Sequence, residues 1–406
     1  MPLSGARVGL VVGDVAGHGM NAAATMGRLR TTVAALAALD LAPEELLARL
    51  DDLVVQSGAV RTADEAEDQA FGVTCLYAIY GPASRICVVA RAGHPPLVLV
   101  TPGGRAELLD LPAGPPLGLG GLPFESTEVQ LPEDAVLALY TDGMVESRDR
   151  DIDVGNRALC EAVSRSDRGP LEDLCDNVTA ALLPRPPEDD AALLLVRVHA
   201  LAEDRVSTWD IRDDPGDVAR SRSLVCERLE QWAVNEGASF TVELVVSELV
   251  TNAIRYGRPP IRLRLIRERG LIVEVSDGGH TSPHLWRAAM EDGGGRGLLV
   301  VAQLTQTWGT RYTPAGKTIW TEVSLDSNRL EALAPATSER HWPRGFVEGG
   351  RRDVVPFKWF KRLSHLLGVW DGIRVGGGAA GAVDRGGCAG DRSRGCRRSH
   401  HPEDRR

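Results

Sequence analysis

The chain has 406 residues, of which 43% are hydrophobic and 25% charged, and its formal net charge is −10. That length accommodates two domains of ordinary size. The acidic balance argues against nucleic acid as a direct partner, because phosphate backbones are held through clustered cations. No apolar run reaches the roughly 18 to 20 residues that span a bilayer, and the start MPLSGARVGLVV lacks the pattern of a secretory signal. The expectation is a cytoplasmic protein without a transmembrane segment. The seven cysteines are odd in number, scattered and without CxxC spacing, which reads as reduced thiols in the core. Residues 327–406 reverse the charge, with 16 Lys and Arg against 9 Asp and Glu.

In chain order, the run Val8 to Val12 predicts a strand ending at Asp14. Ala-rich residues 19–38 and the amphipathic run from Pro43 to Val55 predict two helices. Short β-like runs follow at Phe71 to Tyr80, Arg85 to Ala90 and Leu97 to Val100, punctuated by Gly81-Pro82 and Pro102-Gly103-Gly104. Residues 111–123 are too rich in Gly and Pro for regular structure and lead to a strand, Val136 to Tyr140. Helices at 155–166 and 170–183 precede Pro184-Arg185-Pro186-Pro187 and a last strand, Ala191 to Val198. The first domain is expected to close near residue 199.

The second half starts with a strand at 206–211 and a helix from Pro215 to about Asn235. Ser239 or Thr241 is expected to cap a helix running to Tyr256. Arg262, Arg264 and Arg267 alternate with apolar residues, a turn falls near Gly270, and Leu271 to Val275 leads to Asp277, an α+β layer with one polar sheet face. This domain is expected to end near Leu325. Residues 328–406 form a low-complexity, basic, Gly- and Arg-rich tail read as disordered. Within it, Phe357 to Val369 has the pattern of an amphipathic basic helix.

Three acidic segments each abut an apolar strand: Asp14 after VGLVVG, Asp142 after VLALYT, and Asp189 with Asp190 before AALLLVRV. A sheet that brings these ends to one rim makes a carboxylate site for a hard divalent ion such as Mg2+ or Mn2+. The motifs GDVAGHGMNAAATM, RAGHPPLVLV, PPLGL, LYTDGMVE and EDDAALLLVRV, in this order and spacing, resemble the sporulation-protein-E-like branch of the metal-dependent Ser/Thr phosphatases (the PPM family, type 2C fold). The resemblance covers about residues 3–199. It implies an α-β-β-α sandwich whose N-terminal edge is missing here. It also implies two Mn2+ or Mg2+ ions bridged by Asp14, with the Val15 carbonyl on one ion and Asp142 and Asp189 on the other, Asp190 being the neighbouring candidate. Such a pair readies a water to attack phosphorus. Ser4 and Cys75 take structural readings, and His18 and His94 are read as structural histidines with phosphate donation as the other role.

Glu248 and Asn252 are four apart, on one helix face with apolar residues around them. ELVVSELVTNAIRYG, VEVSDGG, GGGRGLLVV and GKTIW together resemble the GHKL (Bergerat) ATPase fold, an α/β two-layer sandwich, and within it the serine kinases that act as anti-sigma factors, over about residues 206–325. The resemblance implies Mg-ATP as ligand, Asn252 for Mg2+, Glu248 for activating the attacking group, and Asp277 for the adenine amino group. Gly279 would allow close approach to the base, and Gly295 and Gly297 would open backbone amides to phosphate. Arg296 and Lys317 read either as balancing phosphate charge or as solvated cations.

Together the two motif sets imply a protein Ser/Thr phosphatase that acts on a regulatory protein, a phosphorylated STAS-type anti-anti-sigma factor, with a fused module that binds ATP and acts as a kinase or binds a sigma factor. The competing reading is a catalytically inert partner-switching module that binds ATP and sequesters a sigma factor. Oligomeric state is open, a dimer included.

Overall fold

The structure, a computed structural model, describes residues 1–17, 19–59, 72–164, 169–183, 190–281 and 297–325. The first domain runs β1 (Val8–Val15), α1 (Met20–Ala37), α2 (Pro43–Ala59), β2 (Val73–Gly81), β3 (Ile86–Ala92), β4 (Val98–Val100), β5 (Ala106–Leu108), β6 (Ser126–Gln130), β7 (Val136–Tyr140), α3 (Ile152–Ser164), α4 (Leu171–Leu182) and β8 (Leu193–Arg197). Two four-stranded antiparallel sheets form, in the orders β1-β2-β3-β6 and β5-β4-β7-β8.

The period of two along a strand divides its residues between two cores. In β2, Leu76, Ala78 and Tyr80 point into the layer between the sheets, while Cys75, Tyr77 and Ile79 point at α1 and α2 with Leu46, Leu47 and Leu50. In β7, Leu137 and Leu139 join the inter-sheet layer, while Val136, Ala138 and Tyr140 pack under α3 and α4 with Leu159, Leu174 and Val178. Both faces of these strands are therefore dry, and they read as continuous apolar runs. This is the α-β-β-α sandwich expected from the motifs. Four strands went unforeseen: β5 and β6 here, which are short or mixed and alternate too little to signal a strand, and Thr307–Thr313 and Gly316–Val323 in the second domain.

The second domain runs β9 (Val206–Ile211), α5 (Gly216–Gln231), α6 (Glu236–Tyr256), β10 (Ile261–Arg267), β11 (Leu271–Asp277), α7 (Gly297–Leu304), β12 (Thr307–Thr313) and β13 (Gly316–Val323). Its antiparallel sheet has the order β12-β13-β11-β10-β9. Val242, Val245, Val246, Leu249 and Val250 of α6 pack on Leu263, Leu265, Val273 and Val275, with Val225 of α5 and Val301 of α7 completing one core. The N-cap of α6 is Asn235, which accepts the Ala238 N–H at 2.9 Å, and not Ser239 or Thr241. Thr241 lies inside the helix and donates to its own Gly237 carbonyl.

The opposite sheet face is polar in sequence, as expected, yet it is not solvated. Ile266, Ile272, Glu274, Arg311 and Trp320 are all buried. Glu274 pairs with Arg311 and, at 3.5 Å, with Arg264. The start of the first domain lies against this face: a Cβ on Gly5 would fall 2.6 Å from Glu274 Oε1 and 2.9 Å from Arg311 Nη1. Arg7 pairs in turn with Asp40. A cavity of about 660 Å³ remains at this junction, lined among others by Arg7, Glu44, Arg264 and Thr318. Among the described residues no helix is long and apolar enough to cross a membrane. The tail at 328–406, with its Phe357 to Val369 stretch, lies outside the described residues.

Candidate functional sites

Asp14 occupies the last turn of register of β1, opposite Thr74 of β2. The strand approaches so closely there that a Cβ on Gly13 would fall 2.7 Å from the Thr74 carbonyl oxygen. The Asp14 carboxylate is half-buried and accepts the Val15 N–H at 2.8 Å. Beyond it the chain turns through Gly17 and Gly19, with φ of 98° and 89°, values that favour glycine.

His94 ties this rim to the second sheet. Its Nδ1 lies 2.9 Å from Thr74 Oγ1 and its Nε2 lies 2.9 Å from the Tyr140 carbonyl oxygen. A carbonyl can only accept, so Nε2 carries the hydrogen and Nδ1 accepts from the Thr74 hydroxyl. Burial pushes the His94 pKa down to about 4, so the ring is neutral near pH 7 and bridges the sheets. Its structural reading stands. Two residues past Tyr140, Asp142 opens a single 3-10 turn; its carboxylate accepts the Gly143 N–H at 2.9 Å and its carbonyl accepts from Val145 and Glu146. Thr141 clasps the third acidic segment, since its hydroxyl donates to the Asp190 carbonyl at 3.2 Å and accepts the Ala192 N–H at 2.9 Å. A Cβ on Gly143 would fall 2.6 Å from the Asp190 carbonyl oxygen.

Asp14, Asp142 and Asp190 thus end strands that one chain of hydrogen bonds, Thr74–His94–Tyr140 and then Thr141–Asp190, holds together. Asp189 and His18 lie outside the described residues. Among the described residues, Asp14, Asp142 and Asp190 do not form a three-ligand group within 4.8 Å. Among the described residues that spacing is met by Glu133, Asp134 and His199, on the exposed far side of β7 and β8. A two-ion centre, with ions roughly 3.5–4 Å apart, spreads its ligands more widely than a single ion does. Acceptor-only carboxylates and a backbone carbonyl suit a hard divalent ion. Cys75 and Cys87 are buried thiols pushed up to about 12 by burial, and Ser4 donates to Asp40; neither type of side chain is poised as a nucleophile.

In the second domain, Glu248 and Asn252 share one face of α6, and the first residue of α7 abuts them: a Cβ on Gly297 would fall 2.3 Å from Glu248 Oε2 and 3.7 Å from Asn252 Nδ2. Gly295 and Arg296 lie outside the described residues. Asp277, at the end of β11, is 5% exposed and accepts the Gly279 N–H at 2.8 Å. Glycines cage it, because a Cβ on Gly257 would fall 2.6 Å from its Cγ, one on Gly279 2.8 Å from its Oδ1, and one on Gly316 2.0 Å from its carbonyl oxygen. Gly257 ends α6, so the Asp277 end and the Glu248 end of the site are nine residues, about 13 Å, apart along one helix. Lys317 is not the solvated cation of one of its sequence readings. It is buried, and its Nζ lies 2.9 Å from Asp277 Oδ1. Alternation along β13 carried the signal: Lys317 shares the core-facing register of Ile319, Thr321 and Val323.

Residues 4–199 match the family profile of Stage II sporulation protein E, and residues 211–322 match that of the histidine kinase-like ATPase domain. Over 197 residues the chain is 25% identical to the phosphoserine phosphatase RsbP of Bacillus subtilis (strain 168), a match covering 47% of this chain and 46% of that relative. The chain therefore spans just under half the length of that curated relative. Among solved structures, the RsbU and RsbW domains of a Mycobacterium tuberculosis protein are 22% identical, with 78% of this chain and 86% of that one covered and a TM-score of 0.42. The PP2C phosphatase domain of SpoIIE from Bacillus subtilis, with a fragment of its regulatory domain, is 17% identical, covering 50% of this chain and 58% of that one, at a TM-score of 0.41. The chain thus joins a PP2C-type phosphatase domain matching Stage II sporulation protein E, residues 4–199, to a histidine kinase-like ATPase domain, residues 211–322.

Proposed function

We propose that the first domain, residues 1–199, is a metal-dependent protein Ser/Thr phosphatase, and that the second, residues 206–325, is its fused Mg-ATP-binding module. The observation that carries the phosphatase reading is the His94 bridge, which fixes the strand partner of Asp14 to the residue two before Asp142. Asp14, the Val15 carbonyl, Asp142 and Asp189 or Asp190 would hold two Mn2+ or Mg2+ ions; such ions lower the pKa of a bound water and neutralise phosphoryl oxygens. The chain's own part is positional. Asp14 and Asp142 present oxygen acceptors whose backbones are pinned by β1 and by the 3-10 turn, and Thr141 holds the Asp190 segment against that turn. No protein nucleophile is required.

In the second domain Asp277 would accept the adenine amine beside Gly279, Asn252 would carry Mg2+, and Glu248 would face the terminal phosphate with Gly295 and Gly297. The substrate reading is a phosphorylated STAS-type anti-anti-sigma factor, with a sigma factor as a partner of the second domain; the pairing of these two domains in one chain supports it. Para-nitrophenyl phosphate hydrolysis with Mn2+ tests the enzyme. The expected result is turnover that falls at least about 100-fold in Asp142→Asn. Equal turnover in that variant would remove the assignment, and absence of turnover together with tight Mg-ATP binding would favour the inert partner-switching module.

A further inference from the structure

Lys317 is 6% exposed and Asp277 5%, and the two are direct cross-strand partners of β13 and β11. Both project to the helix-covered side of the sheet, in register with Val275 and Ile319. Among the described residues, the ammonium has one hydrogen-bond acceptor, Asp277 Oδ1, which also takes the Gly279 N–H. An ammonium has three donors. Among the described residues two are thus left for a ligand, and Oδ2 is the carboxylate oxygen left to accept. Glycine backbone packs close against both groups with no side chain between: a Cβ on Gly279 would fall 3.3 Å from Lys317 Nζ as well as 2.8 Å from Asp277 Oδ1. One acceptor and one charged donor thus sit side by side, behind a position where the backbone has no side chain.

This pattern complements the edge of an adenine ring, whose exocyclic amine donates and whose neighbouring ring nitrogen N1 accepts. A guanine offers the opposite order at those two positions, a carbonyl oxygen and a ring N–H. We propose that Lys317 is a second base-reading residue, donating to adenine N1 while Asp277 accepts from the amine, so that the buried ion pair sets the purine specificity of the nucleotide site. The inference rests on the ATP-site reading above and adds to it a contact that reading does not contain.

The test compares, in the full chain, the affinities of Mg-ATP, of its 1-deaza analogue, in which N1 is a C–H, and of purine riboside triphosphate, which lacks the amine. The wild-type chain is expected to prefer ATP over the 1-deaza analogue by about tenfold or more, the size of a charged hydrogen bond. Lys317→Met should bring that ratio to one while keeping the preference for ATP over purine riboside triphosphate, and Lys317→Arg should restore part of it. If Lys317→Met does not fold, because it leaves a buried carboxylate unpaired, the charge-balanced Asp277→Asn, Lys317→Met double variant should equally show a 1-deaza ratio of one. A wild-type ratio of one, or a ratio unchanged by removal of Lys317, overturns the proposal and leaves the ATP site standing. A wild-type chain that binds none of the three nucleotides overturns the site and the proposal together.

Discussion

Replacing His94 by Gln separates the two things the buried imidazole does. Gln can accept from Thr74 Oγ1 and donate to the Tyr140 carbonyl, so it keeps the bridge between sheets, but it cannot take a proton. The wild-type ring has a pKa of 6.5 in the unfolded chain and about 4 in the fold, lowered by burial. Between those values the unfolded chain binds a proton that the folded chain does not. The stabilisation is therefore complete above pH 6.5 and is lost as the pH falls toward 4. Full loss amounts to about 3 kcal/mol, and the part reached between pH 7.5 and pH 5 is about 2 kcal/mol. With a urea slope of roughly 2 kcal/mol per molar, the wild-type midpoint should drop by about 1 M more than that of His94→Gln over the same range. All eight tryptophans lie at residue 209 or beyond, so tryptophan fluorescence does not follow the first domain, whereas far-UV circular dichroism does. The His94 effect should appear only in the dichroism transition that fluorescence does not see. The same pH dependence in His94→Gln as in wild type would refute the reasoning.

Gly155→Ala should destabilise the first domain by about 1 to 3 kcal/mol in urea titration, since its Cβ would fall 1.8 Å from the Val145 carbonyl oxygen. Because Val145 closes the turn on Asp142, phosphatase turnover should fall with it. Arg311→Met leaves the 6%-exposed Glu274 without its nearest cation and should cost about 3 kcal/mol; a tryptophan-fluorescence midpoint unchanged from wild type would show that the junction contributes nothing. Iodoacetamide at pH 8 should leave Cys75 and Cys87 unlabelled in the folded chain and label both in urea, as peptide mass spectrometry would record, because burial pushes both thiols up to about 12.

Much of this was legible in residue order. The strand runs ending at Asp14 and Asp142, the helices at 43–55 and 170–183, and the i, i+4 pair Glu248 and Asn252 all carry periodicities strong enough to place the acids at element ends. The Asn235 cap was missed because two later hydroxyl residues, Ser239 and Thr241, offer the same chemistry within one turn. β6, with the sequence STEVQ, reads as loop because only neighbouring strand β3 makes it a strand. The clamp through Thr74, His94 and Tyr140 joins residues 20 and 46 apart, and such a contact exists only once two sheets stack. The Lys317 pair was missed for a different reason: a lysine beside glycine looks solvated until the register of β13 turns it inward.

Titration of the full chain with Mn2+, followed by electron paramagnetic resonance, tests the shared carboxylate centre most directly. The expected result is two ions bound per chain with the signature of a coupled pair, and loss of that coupling in both Asp14→Asn and Asp142→Asn. Binding that is uncoupled in wild type, or indifferent to both substitutions, would contradict it.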